Sequence, residues 1–455
     1  MTRGLVAGVQ QGWDTGTQYD FSARDRLMLN PIRINSALSR RQLFHGAAAA
    51  LGTWALPSKV QAAVVRTPTH DQPQEIGPYP PEWLPDGVRS RFVHGINGLR
   101  LHVLEAGFES PGRPAVLLLH GFPELAYSWR SVMVPLAEAG YHVIAPDQRG
   151  YGRTTGWEAD YDGGLDSFRR LNVVRDALGL VSAFGYGSVA SVIGHDFGSP
   201  IAAWCAVTRP DVFRSVALMS APFGGTPTLP FDTADNEPQT AGIAGPNIYD
   251  DLAALSRPRK HYQRYYNTRE ANPNMWHPPQ GLHAFLRAYY HYKSADWRGN
   301  RPYPLAGRTA EEWAKMPTYY IMDLADGMAE SVAPYMPSEA EINANEWLSE
   351  AALAVYSNEY SRTGFQGGLN WYRSGGIGGP EMQLYAGRTI DQPSIFIAGA
   401  SDWGSYQSPG ALDRMQNQAC TDFRGLHLVT GAGHWVQQEQ SEETSRLLID
   451  FLRDV

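Results

Sequence analysis

The chain has 455 residues, of which 43% are hydrophobic, 18% charged and 11% aromatic, a composition that supports a large buried core and excludes disorder or a collagen-like fibre. Its 38 Lys and Arg stand against 46 Asp and Glu, a net charge of -8, so no basic surplus exists to neutralise phosphates or anionic lipid heads, and nucleic acid is not an expected partner. The two cysteines, Cys205 and Cys420, lie outside any Cys-x-x-Cys spacing and cannot alone build a zinc site or a disulfide framework; whether they bridge is open at this point.

Near the N-terminus, Ser39-Arg40-Arg41-Gln42-Leu43-Phe44 precedes a weakly apolar run from His45 to Pro57. That run is shorter than the roughly 20 residues a membrane-spanning helix needs, so no stable membrane anchor is expected. The paired arginines, the alanine-rich stretch and the ending Val60-Gln61-Ala62 look like a bacterial twin-arginine export signal. Residues 1–62 are therefore set apart as a signal and leader, with either Met1 or Met28 as the start, and a periplasmic or secreted protein is expected. Without a working signal the chain would stay cytoplasmic.

From Arg91 onward, runs typical of strands alternate with helical patterns. Leu101–Glu105, Ala115–Leu119, His142–Ala145, Val189–Ile193 and Ser215–Met219 are predicted strands, and Val116-Leu117-Leu118-Leu119 suits a strand covered on both faces. The expected class is α/β, a mostly parallel sheet flanked by helices. Between residues 224 and 376 the pattern breaks into a Tyr-, Trp- and Pro-rich region with helices predicted at Gly281–Tyr292, Ala310–Lys315 and Ser338–Tyr360. Strands resume at Ser394–Ala398 and Leu426–Val429, with a closing helix at Glu442–Leu452. One domain results, its core split into residues 63–223 and 377–455 around a helical cap at 224–376 inserted after the sixth core strand. Gly375, Gly376, Gly378 and Gly379 lack the strand, Lys and helix context of a phosphate loop.

Val192-Ile193-Gly194-His195-Asp196-Phe197-Gly198 ends a strand and opens a helix, with small residues two before and two after Asp196. This is the spacing of a nucleophile elbow, in which a sharp turn pushes the middle side chain into the site, although an Asp there also suits a helix cap. Gly399-Ala400-Ser401-Asp402 and Gly431-Ala432-Gly433-His434-Trp435 follow the late strands. The order of Asp196, Asp402 and His434, each after a strand, is the chain order of nucleophile, acid and base in α/β-hydrolase triads, with Asp in place of Ser. Asp391 and Asp413 are weaker choices for the acid because neither directly follows the strand. His120-Gly121-Phe122-Pro123 follows another strand, where the N–H of Phe122 can join that of Phe197 in an oxyanion hole.

Taken together with Asp147-Gln148-Arg149-Gly150-Tyr151-Gly152 and Gly364-Phe365-Gln366-Gly367-Gly368-Leu369-Asn370-Trp371-Tyr372-Arg373, these motifs resemble those of the α/β-hydrolase-fold epoxide hydrolases from about Arg91 to Val455. The resemblance implies Asp196 as nucleophile, His434 as base, Asp402 as its orienting acid, and two cap tyrosines that activate the epoxide oxygen. Tyr372 matches one of them. The second falls in His261-Tyr262-Gln263-Arg264-Tyr265-Tyr266, where Tyr262 is preferred over Tyr265 and Tyr266. The resemblance further implies a small-molecule epoxide and water as reactants, with no metal, nucleotide or flavin; a homo-oligomer is left open.

Two departures stand out. Phe197 occupies the position after the nucleophile where the family usually has Trp, and the insertion is long for its cap. A dehalogenase of the same fold would use the same Asp but needs N–H donors for a departing halide, one of which Phe197 removes. A secreted binding protein on a hydrolase scaffold would have no need of an intact Asp196, Asp402 and His434.

Overall fold

The computed structural model describes residues 76–229, 247–375 and 380–455. The export-signal expectation for residues 1–62 lies outside these, as do Gly376, Gly378, Gly379 and part of the region assigned to the cap. Eight strands form the central sheet: β1 (Val88–Ile96), β2 (Leu99–Ala106), β3 (Ala115–Leu119), β4 (His142–Pro146), β5 (Ser191–His195), β6 (Val216–Met219), β9 (Ser394–Gly399) and β10 (Phe423–Val429). Their order is β1-β2-β4-β3-β5-β6-β9-β10. β1 pairs with β2 and β2 with β4 in antiparallel fashion, and every other neighbouring pair is parallel.

β3 is central because its sequence can be nothing else: all five of its side chains are buried, and each fully buried Val or Leu contributes about 1.5–3 kcal/mol. Helix α1 (Arg130–Glu138) packs on the C-terminal helix Ser441–Arg453, and α2 (Arg170–Ala183) packs on α3 (Gly198–Thr208), so two helical pairs flank the sheet. Cys205 lies buried within α3, and both it and Cys420 are free thiols, which answers the question left open by their spacing.

Three sequence expectations need correction. The strand predicted at Val189–Ile193 runs instead from Ser191 to His195, because Val189 forms only an isolated bridge to Phe213 and the ladder with β3 begins at Ser191. β1 was not anticipated; it hairpins onto β2 through Asn97-Gly98, with both residues at positive φ. The helix predicted over Ser338–Tyr360 is two, Glu339–Ala344 and Glu350–Thr363. Between them the Asn345 side chain accepts the Leu348 N–H at 2.6 Å and Ser349 caps the second helix through the Ala352 N–H at 3.2 Å, local bonds that compete with a continuous helix.

Between β6 and β9 lies the cap. Its described residues form helices and a short antiparallel pair, β7 (Arg259–His261) with β8 (Ile321–Asp323). The described cap helices that matter for the site are Tyr262–Tyr266, Leu282–Lys293 and Gln366–Arg373. Among the described residues no helix is long and apolar enough to cross a membrane.

Candidate active site

Because β3, β5, β9 and β10 run parallel, the loops leaving their C-terminal ends emerge on one edge of the sheet, and this edge gathers the site. Asp196 follows β5 directly and holds φ at 50°, a left-handed conformation that an L-residue adopts at a cost of about 1–3 kcal/mol. Its N–H donates to the Met219 carbonyl at 3.1 Å, and its own carbonyl accepts from Ser199 at 3.0 Å, which ties the turn to β6 and α3. The flanking glycines are steric requirements. A Cβ on Gly194 would meet the Gly198 carbonyl oxygen at 2.1 Å, and one on Gly198 would meet the Leu119 carbonyl oxygen at 2.1 Å.

On this turn the Asp196 carboxylate is held by both oxygens. Oδ1 accepts the Phe122 N–H at 2.9 Å, and Oδ2 lies 3.4 Å from His434 Nε2. His434 Nδ1 is 3.1 Å from Asp402 Oδ1, which also accepts the Gly404 N–H at 2.7 Å. The Asp402 and His434 side chains are almost wholly enclosed, whereas Asp196 keeps 12% of its side-chain surface. Burial works to raise the Asp196 carboxyl, but the close approach and charge of His434, with Lys293 and His195 behind, outweigh it and hold the group below the ordinary carboxylate range. For Asp402, too, burial is outweighed, chiefly by His434. His434 is raised: burial and Lys293 push its proton off, yet Asp402 and Asp196 prevail.

Above the carboxylate sit the tyrosines. Tyr372, on the helix Gln366–Arg373, stands edge-to-face with Phe197 (4.4 Å between centroids), Phe122 (5.5 Å) and Tyr262 (5.9 Å). Trp371 beside it donates its indole N–H to the Arg149 carbonyl at 2.8 Å, pinning that helix to the loop after β4. Tyr262 is placed by its own N–H, which donates to the Tyr320 carbonyl at 2.8 Å, and its hydroxyl accepts from Gln263 Nε2 at 3.2 Å. Both tyrosines line a cavity of about 480 Å³ together with Asp196, Phe197, Pro200 and Gln407. The other two candidates do not: the Tyr266 hydroxyl is bonded to that of Tyr289 at 3.3 Å, and Tyr265 packs under the ammonium of Lys260. Burial first raises both phenols, with Asp196 adding to the effect on each, so they hold their protons.

A second polar chain lies beneath, formed by His195, which lies within the elbow motif, and Glu124, the residue after His120-Gly121-Phe122-Pro123, neither of them assigned a role by the sequence alone. Glu124 Oε2 accepts the Gly121 N–H at 3.1 Å and meets His195 Nδ1 at 2.6 Å, while His195 Nε2 reaches the His434 carbonyl at 2.7 Å. Three loops of the sheet edge are thereby tied to one another. Phe197 contributes its ring to the packing of Tyr372, and the amide recorded on the Asp196 carboxylate is that of Phe122.

The sequence profile of the alpha/beta hydrolase fold family matches residues 114–440. Epoxide hydrolase A of Mycobacterium tuberculosis is 33% identical over 377 residues, covering 80% of this chain and 98% of its own, and epoxide hydrolase B of the same organism is 30% identical over 372 residues, covering 79% and 98%. The chain belongs to the α/β-hydrolase-fold epoxide hydrolases. Solved structures agree: an epoxide hydrolase from an endophytic Streptomyces matches with a TM-score of 0.63 at 31% identity, covering 81% of this chain and 96% of that one. Epoxide hydrolase A from Mycobacterium thermoresistibile matches with 0.60 at 30% identity, covering 80% and 98%. Of the three functions the sequence admits, this membership selects the epoxide hydrolase over the dehalogenase and the binding scaffold.

Proposed function

We propose that this epoxide hydrolase opens its substrate through a covalent ester on Asp196. The observation that carries the reading is a single ionised carboxylate with a backbone N–H on one oxygen, a histidine facing the other, and two protonated phenols across the same cavity. Asp196 Oδ2 attacks a ring carbon, the ring C–O bond breaks, and Tyr262 or Tyr372 gives its proton to the departing oxygen. Oδ1 becomes the ester carbonyl. His434, oriented by Asp402, then takes a proton from water as the hydroxide adds to that carbonyl, and the N–H groups of Phe122 and Phe197 stabilise the oxyanion. Collapse of the adduct releases the vicinal diol, and over the cycle one proton passes from His434 to the tyrosinate. Every group in this cycle comes from the chain and the water, so the reaction calls for no cofactor.

The test is a single turnover in heavy-oxygen water. Label is expected in the Asp196 carboxyl before it appears in diol; a first diol carrying all the label, with none on Asp196, would replace the ester by direct water attack. The His434→Gln variant should stop at an adduct with the mass of the epoxide, seen by intact-protein mass spectrometry, because the base acts only in the second step.

The localisation is also a proposal. The Ser39–Phe44 segment supports export to the periplasm or beyond. Fractionation of cells expressing the chain with Arg40→Lys and Arg41→Lys should shift it to the cytoplasm, and an unchanged distribution would remove the signal.

A further inference from the structure

Lys293 is a buried cation that the cycle above leaves without a task. It is the last residue of the cap helix Leu282–Lys293 and is 4% exposed. Its ammonium lies 5.1–5.8 Å from the ring centroids of Tyr289, Tyr319, Tyr320 and Trp435, an aromatic enclosure that attracts a cation. Its carbonyl accepts the His434 N–H at 2.9 Å, so the residue that carries the charge also holds the backbone of the base. A lysine held this way costs several kcal/mol of desolvation unless negative charge faces it. The facing charges are Asp196 and Asp402, with Glu124 farther into the core, and these offset only part of the effect of burial, which holds the ammonium below the ordinary lysine value.

We propose that Lys293 is a positioning residue whose buried ammonium keeps His434 unprotonated once Asp196 has become an ester. This rests on the ester mechanism. In the free enzyme His434 feels four groups from four elements: Asp196 on the elbow, Asp402 after β9, His195 at the end of β5, 5.2 Å away ring to ring, and Lys293 from the cap. Glu439 and the phenols of Tyr289, Tyr319 and Tyr320 complete the titratable surroundings of the pair. With both carboxylates charged, the two anions outweigh Lys293 and favour a proton on the ring. Esterification consumes the Asp196 charge and leaves a tyrosinate, which takes the proton from the ring; Lys293 then opposes Asp402 alone, so the neutral ring can take a proton from water. The histidine becomes a base at the step that needs one.

The experiment follows decay of the preformed ester against pH in single turnovers. In Lys293→Met the pH at which hydrolysis switches on should rise by about one unit, a roughly tenfold loss below that limb and little above it. Lys293→Arg should restore the limb, and ester formation above it should keep the parental rate. Coincident limbs in parent and Lys293→Met, or a loss uniform across pH, would overturn the proposal and leave Lys293 as packing. Should Lys293→Met fail to fold, the nitrogen-15 shift of Lys293 Nζ in the parent chain decides: an ammonium across the active pH range is expected, and a neutral amine there overturns the proposal. Absence of any ester in the parent would instead remove the mechanism on which the proposal stands, a separate and distinguishable failure.

Discussion

The sheet edge and the cap build their halves of the site from different materials. At the edge, aliphatic strands with fully buried side chains fix the backbone, and the triad candidates hang from short loops tied by backbone bonds such as Asp196 N–H to Met219 and Ser401 N–H to Ala432. In the cap the material is tyrosine: Tyr262, Tyr266, Tyr289, Tyr320 and Tyr372 touch edge-on or tilted, and their hydroxyls bond to neighbours or face the cavity, except that of Tyr320, which is buried without a partner among the described residues. Aliphatic packing gives a position without chemistry, whereas stacked phenols give proton donors at the cost of a less unique arrangement. On the proposed mechanism the nucleophile and base belong to the aliphatic half, and the acids to the tyrosine half.

On the proposed cycle, variants of the elbow strike both chemical steps and variants of the cap tyrosines only the first. The largest effect is expected for Asp196→Ala, which should show no turnover and no adduct by mass spectrometry, since the elbow offers no second carboxylate. Gly121→Ala comes next. A Cβ there would lie 2.3 Å from the Asp196 Cβ, so the nucleophile must move, and a displacement of this kind costs on the order of 100-fold in kcat. The thermal transition of that variant checks that the loss is local.

Smaller, and confined to ring opening, is the effect of Tyr372→Phe or Tyr262→Phe, each expected to slow ester formation by about 1–3 kcal/mol while ester hydrolysis in stopped-flow keeps its rate. Equal slowing of both steps would erase the distinction between the two halves. Tyr265→Phe should be smallest, with kcat changed by less than about twofold, because its ring lies outside the cavity and only a neutral hydrogen bond is lost.

The same contrast governs what could be read from residue order. The strands of the edge were legible, since parallel strands announce themselves as apolar runs, and the structure brings Asp196, Asp402 and His434, each in the loop after a strand, within reach of one another. In the cap, Tyr262, Tyr265 and Tyr266 share one short helix, and the bond that aims Tyr262 at the cavity comes from Tyr320, far along the chain. Lys293 was invisible for another reason: a lysine ending a helix ordinarily complements the helix dipole in solvent, and nothing local reveals four rings closing over it. β1 escaped because Val88–Ile96 lies at the sheet edge and carries the charged side chains such a position tolerates. Its hairpin signal, Asn97-Gly98, was there to be used.

The junction between the helix Leu282–Lys293 and the His434 loop matters to anyone recombining these enzymes. Glu439 accepts the N–H groups of Ala295, Gly433 and Trp435 at 2.8–2.9 Å, and Lys293 accepts that of His434. A donor cap spliced at the loops after β6 and before β9 would carry away half of this clasp. The transplantable unit is therefore the cap minus its segment from Lys293 to Ala295, and chimeras that respect this boundary should inherit a correctly seated base along with a new substrate range.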